Sequence, residues 1–257
     1  MKAGALMELN ANLKALTLST MARNLEVAVR QARESGIEYD DFLLELTVAE
    51  LQARAENTLN RRVREAKFPL FKPVETFDLS SASGIDIRLF RDLAGGSYIK
   101  ERRNVIFLGL SGRGKTHMAI GLGIEACKNK YRTRFVTCYG LVNELIEARQ
   151  ERGLQRLLQR YARYDLLILD ELGYIPFSKE GSELLFQVLA ERHERGSVMI
   201  TTNLGFADWT QVFGDPVMTA ALLDRITHKA HIINCGWDSY RLKQSIMEKG
   251  KRGRKDT

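Results

Sequence analysis

The stretch Gly109-Leu110-Ser111-Gly112-Arg113-Gly114-Lys115-Thr116 constrains this chain more than any other. It has the G-x-x-x-x-G-K-[ST] spacing of a phosphate-binding loop. Val105-Ile106-Phe107-Leu108 before it is apolar and strand-like, and His117-Met118-Ala119-Ile120 after it opens a helix. Glycines at these places let backbone N–H groups curl inward around an anion. The helix that follows points its partially positive N-terminus at the same anion. The motif expects Lys115 to reach the β- and γ-phosphates of a bound nucleotide and the Thr116 hydroxyl to bind Mg²⁺. Gly109 to Thr116, with His117, are therefore the candidate nucleotide contacts.

Five apolar runs read as strands: Val105–Leu110, Arg134–Cys138, Leu166–Asp170, Val198–Thr202 and His231–Cys235. Helix-period segments separate the first four. That alternation predicts an α/β fold with a five-stranded parallel sheet covered by helices on both faces. Ligands of such sheets sit beyond the carboxyl ends of the strands. The third run ends in Asp170-Glu171, the Walker B pattern. Asp170 is expected to hold Mg²⁺, and Glu171 to orient and deprotonate an attacking water. Two acids after a strand also serve as a helix cap or a solvated turn; the phosphate loop upstream favours the chemical reading. The fourth run ends at Asn203, where a polar side chain would lie near the γ-phosphate; a turn-initiating Asn is the alternative.

Residues 1–67 read as a small, all-helical N-terminal domain. Leu13, Leu16, Leu25, Ala28 and Ala32 share a helical period, so one helix is expected up to about Ser35, stopped by Gly36. Thr47-Val48-Ala49-Glu50 reads as a capping box opening a second helix to about Lys67. Its later half carries Arg54, Arg61 and Arg64. The helical part reads either as a docking hairpin with a solvated charged face or as a DNA or partner-protein contact with the arginine end facing the phosphates. Pro69, Pro73, Ser80, Ser81, Ser83 and Gly84 mark a boundary, followed by a candidate helix over Ile85–Leu93. Residues 68–243 form the expected ATPase domain, and 244–257 a basic tail expected to be disordered.

Between the second and third strands, Arg149, Arg152, Arg156, Arg160 and Arg163 step by three or four residues, which predicts one helix face. No acid lies between Arg152 and Arg163, and Gly153 is expected to break the helix. A solvated face is one reading; contact with a nucleic-acid phosphate backbone is the other, matching the expected electrostatic footprint. The net charge of +7 favours a polyanionic partner. No apolar run reaches the length of a membrane span. The N-terminus lacks the apolar region of a secretion signal, and Cys127, Cys138 and Cys235 form no C-x-x-C pair, so a cytoplasmic location is expected.

The phosphate loop, Leu169-Asp170-Glu171-Leu172-Gly173-Tyr174, Ile200-Thr201-Thr202-Asn203, Leu222-Leu223-Asp224-Arg225 and Ser239-Tyr240-Arg241-Leu242-Lys243 together resemble the IstB family, helper ATPases of bacterial insertion-sequence transposition. The resemblance covers nearly the whole chain. It places the chain among the AAA+ ATPases, in one clade with the helicase loader DnaC and the initiator DnaA. It implies a sensor role for Asn203 and an arginine finger at Arg225 that completes a neighbouring subunit's site, hence a homo-oligomer. It implies a helical insertion at Leu141–Tyr164, ATP-dependent self-assembly on duplex DNA, and delivery of that DNA to the partner transposase IstA. Leu110 and Ser111 stand where relatives often have prolines, and Arg113 is bulky for the loop. The chain ends soon after Arg241, so a full helical lid with its second sensor arginine is not expected. A DnaC-like helicase loader, a P-loop kinase and a nucleotide-gated scaffold remain alternative readings.

Overall fold

Glu50 decides how the N-terminal helices meet. In the computed structural model, which describes residues 3–78, 82 and 85–237, the chain divides into two compact units, residues 1–61 and 62–257. The first holds α1 (Ala3–Ala15), α2 (Ser19–Ser35) and most of α3 (Tyr39–Ala66). The single helix expected up to Ser35 is thus two: Thr17 takes a left-handed conformation (φ 58°) and breaks it. Leu16, assigned to the apolar face by its spacing, is 66% exposed there. Gly36, at φ 63°, ends α2 as expected. The expected capping box at Thr47 does not form. Thr47 lies inside α3 and its hydroxyl donates to Leu44 O at 2.9 Å. Glu50 instead accepts the Thr20 and Met21 amides at 2.7 and 3.1 Å. Those are among the orphan donors at the start of α2, so a carboxylate of one helix caps another. Arg54 holds the same carboxylate at 2.8 Å and donates to Thr17 O at 2.7 Å. Leu13, Met21, Ala22, Leu25 and Leu46 fill the small core around this junction.

The second unit is built on β1 (Asn104–Leu108), β2 (Thr133–Thr137), β3 (Leu166–Leu172), β4 (Ser197–Thr202) and β5 (Ala230–Asn234). They pair in parallel in the order β2-β3-β4-β1-β5. The strands start at or one residue before the expected positions; β1 stops at Leu108 because Gly109 (φ 149°) turns away, and β3 runs on to Leu172. Successive side chains of a strand point to opposite faces, and here both faces are apolar. Val105, Phe107, Leu166, Ile168 and Met199 face α4 (Ile87–Ala94), α5 (Ser97–Lys100) and α6 (Lys115–Lys128). Ile106, Leu167, Leu169, Val198 and Ile200 face α7 (Cys138–Gln150), α8 (Leu154–Ala162), α9 (Lys179–Arg192), α10 (Thr210–Phe213) and α11 (Pro216–Thr227). A strand buried on both faces reads as a continuous apolar run, which is why these runs are so plain in the sequence.

The predicted helix before Gly95-Gly96 is α4, begun by Asp86, whose carboxylate accepts the Arg88 and Leu89 amides. Arg192, 2% exposed, ties α8 and β4 to the end of α9 by donating to Tyr161 O, Tyr164 O and Ser197 O at 2.7, 2.9 and 3.0 Å. Burial pulls its pKa down to about 10, so it stays charged at neutral pH. Ser80, Ser81, Ser83, Gly84, the Ser239–Lys243 motif with Arg241, and the basic tail lie outside the described residues.

Arg54 chiefly, with the Met21 and Thr20 amides, holds the Glu50 carboxyl below the usual carboxylate range. A depressed folded pKa contributes stability above the unfolded pKa that is lost as pH falls through the folded one. Glu50→Gln is therefore expected to lower the thermal midpoint of the helical unit at neutral pH and to speed exchange at the Thr20 and Met21 amides. Circular dichroism melts of both proteins should converge as the pH drops through that folded pKa. A gap unchanged in acid would assign the loss to side-chain shape rather than charge.

Candidate functional site

The phosphate loop leaves β1 at its carboxyl end and enters α6 at Lys115. Two of its glycines are demanded by geometry. A Cβ on Gly109 would sit 2.5 Å from Cys235 O, and one on Gly114 2.7 Å from the Phe77 ring; both positions also have left-handed backbone. Cys235 N donates to Leu108 O at 2.6 Å, so the segment after β5 lies directly against the loop. Arg113, bulky for this place, turns aside and donates to Cys235 O at 3.1 Å. Its carbonyl accepts the Trp237 indole N–H at 3.0 Å. Lys115 Nζ donates to the carbonyls of Gly109 and Leu110 at 2.6 and 2.9 Å.

Asp170 is 4% exposed. Its Oδ1 accepts the Thr116 hydroxyl at 3.0 Å and the Thr201 hydroxyl at 2.5 Å. Burial pushes its carboxyl pKa up, opposed by Thr201, Thr116 and Lys115. A hydroxyl and a carboxylate meeting at one point are hard oxygen donors, the set that Mg²⁺ takes. The register of β3 against β4 shifts between Leu169 and Leu172, a bulge of the kind that re-aims a side chain. Glu171 sits in it with φ 62°, an uncommon conformation for a residue that is not glycine. Its amide donates to Thr201 Oγ1 at 2.9 Å, and its side chain is exposed. Asp170 is thus buried with hydroxyl partners while its neighbour faces the cleft.

That cleft has a volume of about 510 Å³, within the usual range for a small-molecule site. Glu171, Asn203, His117 and the loop from Ser111 to Thr116 line it. So do Phe77, Thr76 and Trp237, which sequence reasoning did not select. Nothing local marks those three; they arrive from segments before and after the sheet. Thr76 Oγ1 donates to Pro73 O at 2.7 Å and lies 3.1 Å from His117 Nε2. Its proton being so used, Thr76 accepts from His117 Nε2–H, which selects that tautomer. Burial, then Lys72, lowers the His117 pKa, which favours the neutral ring. Thr201 was visible only as part of Thr201-Thr202-Asn203, yet it bonds both acids.

The structure corrects two readings of the arginines. The Arg149–Arg163 row is not one face. Arg149 lies on α7, Arg156 and Arg160 on α8, Arg152 (φ 57°) in the break before Gly153, and Arg163 caps α8. Nor is the row free of acid in space. Arg160 pairs with Glu144 and lies over the Tyr161 ring, and Arg149 pairs with Glu180 at 3.5 Å. Arg152, Arg156 and Arg163 are exposed and form no ion pair among the described residues. Arg61 and Arg64 are likewise exposed on α3, whereas Arg54 is bound to Glu50 and Thr17. Arg225 lies in the last turn of α11, near the helix end as expected, but it is half-buried rather than presented outward. α11 continues to Thr227, and the Arg225 guanidinium stacks 4.9 Å over the Phe186 ring. It does not line the cleft of its own chain.

Similarity to known proteins agrees with this geometry. The profile of the family described as IstB-like ATP binding protein matches residues 11–248. The chain is 38% identical to the ATP-binding protein of insertion sequence IS21 from Pseudomonas aeruginosa, over 92% of this chain and 89% of that one. It is 35% identical to the IS5376 counterpart from Geobacillus stearothermophilus, over 92% of this chain and 94% of that one. Solved structures share the fold at lower identity. The DnaI structure matches with TM-score 0.55 and 20% identity, over 68% of this chain and 93% of that one. AMPPCP-bound DnaA from Aquifex aeolicus matches with TM-score 0.53 and 19% identity, over 70% and 55%. The DnaC helicase loader matches with TM-score 0.50 and 20% identity, over 57% and 86%. With a P-loop, a five-stranded parallel sheet and these relatives, the chain belongs to the IstB-like ATP-binding proteins of insertion sequences, on the AAA+ fold of DnaC and DnaA.

Proposed function

We propose that this chain hydrolyses ATP, assembles with copies of itself on duplex DNA, and works with the transposase of its insertion sequence, the IstA partner implied by the family resemblance. The observation that carries the hydrolytic part is the pair at the end of β3. Asp170 is buried against two hydroxyls, and Glu171 is turned by a bulge into the cleft. In this reading Glu171 takes a proton from water as the water oxygen bonds to the γ-phosphorus. The bond to the β-γ bridging oxygen breaks and ADP leaves with that electron pair. Lys115, released from the loop carbonyls, meets the phosphate charge, and Asn203 fixes the water. Thr116 and Asp170 would hold Mg²⁺, which neutralises phosphate charge when bound. Arg225 would leave Phe186 to reach the nucleotide of a neighbouring copy.

The DNA part rests on Arg152, Arg156 and Arg163, exposed cations with no carboxylate partner among the described residues. Arg160 would exchange Glu144 for a phosphate. No groove-reading motif accompanies them, so backbone contact is expected. Arg61 and Arg64 form a second candidate contact on α3.

Glu171→Gln is expected to keep ATP binding and slow turnover by roughly a hundredfold or more. Lys115→Ala should lose binding, and Arg225→Ala should bind ATP but hydrolyse it poorly. Mixing the Lys115→Ala and Arg225→Ala proteins should restore part of the activity, because one intact composite site can form. Normal turnover by Glu171→Gln removes that residue from catalysis, and co-assembled mixtures that stay inactive exclude a shared site.

For DNA, filter binding or anisotropy across several salt concentrations separates contact from solvation. Each phosphate contact contributes about 0.9 to the log–log salt slope on duplex DNA. Arg156→Gln with Arg163→Gln should therefore flatten the slope by roughly 1.8 and weaken binding evenly across sequences. An unchanged slope with ATP-driven assembly intact would move the contact to Arg61 and Arg64 or to the basic tail.

A further inference from the structure

Far from the phosphate loop in the fold, at the amino-terminal edge of the sheet, two helix ends bring three metal-ligating side chains together. His193 ends α9 and His228 ends α11, each as the residue after the last helical turn. With Glu194 they offer one ligand atom each, all within 4.8 Å of one another. We propose that His193, Glu194 and His228 form a binding site for a divalent transition-metal ion of the zinc type.

The donor chemistry selects the ion. Two imidazoles and one carboxylate are a zinc set, with a further coordination position left for water. Calcium and magnesium prefer oxygen donors throughout. The pre-arrangement goes beyond proximity. His193 Nδ1 lies 3.1 Å from Arg225 O. With Nδ1–H given to that carbonyl, Nε2 keeps its lone pair. A ligating histidine whose other nitrogen is held by a carbonyl is the usual support of such a site. The two rings are 6.1 Å apart, centre to centre. Both histidines sit at helix C-termini, where the partial negative charge of the last carbonyls favours a cation. Glu194 is held by its own neighbours: Arg102 donates to its carbonyl at 2.8 Å, and its φ is 57°. Lys229 engages one carboxylate oxygen, Oε1, at 3.1 Å; that exposed pair is weak and would give way to an ion.

Tetrahedral coordination at zinc distances needs ligand atoms about 3.4 Å apart. Glu194 and His228 are exposed, so side-chain rotation closes the gap without moving the sheet. An ion there would tie the ends of α9 and α11 together, three residues beyond Arg225 and through its carbonyl. The binding site is independent of whether Arg225 serves a neighbouring copy.

The test uses the full chain without a histidine tag, stripped by chelator and titrated calorimetrically with Zn²⁺. Saturable binding is expected, weakened by about tenfold or more in His193→Gln and in His228→Gln and lost in the double variant. The chain has 4 histidines, so His231→Gln, with affinity unchanged, serves as the control. Co²⁺ should give visible d–d bands stronger than those of the aquo ion. Should His193→Gln fail to fold, Glu194→Gln and His228→Gln, both at exposed positions, carry the same comparison. Absence of saturable Zn²⁺ binding, or binding that survives the double variant, overturns the proposal.

Discussion

The nucleotide side of this molecule depends on one buried carboxylate. Asp170 stands at the end of a central strand with little solvent, and such a group is costly to bury without hydrogen bonds. Thr116 from α6 and Thr201 from β4 supply them. Each hydroxyl belongs to a different element, so satisfying one carboxylate fixes the phosphate loop, β3 and β4 against one another. Thr201 goes further. It donates to Asp170 and accepts the Glu171 amide, and so holds the bulge that turns Glu171 into the cleft. The left-handed backbone at Glu171 is strain, and this contact is what opposes its relaxation.

The loop itself is held from the other side. Cys235 and Trp237, beyond β5, grip Leu108 and Arg113, and Phe77 closes on Gly114 from before the sheet. The cleft wall is therefore assembled from both flanks of the sheet, with the sheet supplying the acids, the loop and the end of β4 with Asn203 just beyond it. Arg192 plays the matching structural part away from the cleft, gathering carbonyls of α8, the turn after it and β4 around one buried guanidinium.

What could be read from the sequence follows from the range of each interaction. The phosphate loop, the Walker acids and the strands are local patterns; period and spacing specify them, and the sheet formed where they lay. The bulge at Glu171 is not local, because a run of apolar residues before two acids looks the same with or without it. Glu50 misled for the same reason. Its spacing from Thr47 fits a capping box, but the amides it accepts lie about thirty residues earlier. The arginine row looked free of acid only along the chain, since Glu144 and Glu180 reach Arg160 and Arg149 through the fold. Arg225 was singled out by its place after Leu222-Leu223-Asp224, whereas its stacking on Phe186 needed the packing of α9 on α11.

Thr201 is the most direct test, because it touches both acids from β4 and is not itself part of the phosphate loop. Thr201→Val removes the hydroxyl and keeps the shape, and Thr201→Ser keeps the hydroxyl. ATP affinity and turnover measured on both variants, with melts to confirm folding, decide the matter. The account predicts that valine lowers kcat by at least about tenfold, as loss of a positioned general base does, with ATP affinity little changed, and that serine restores turnover. Wild-type turnover in a folded Thr201→Val protein would contradict it.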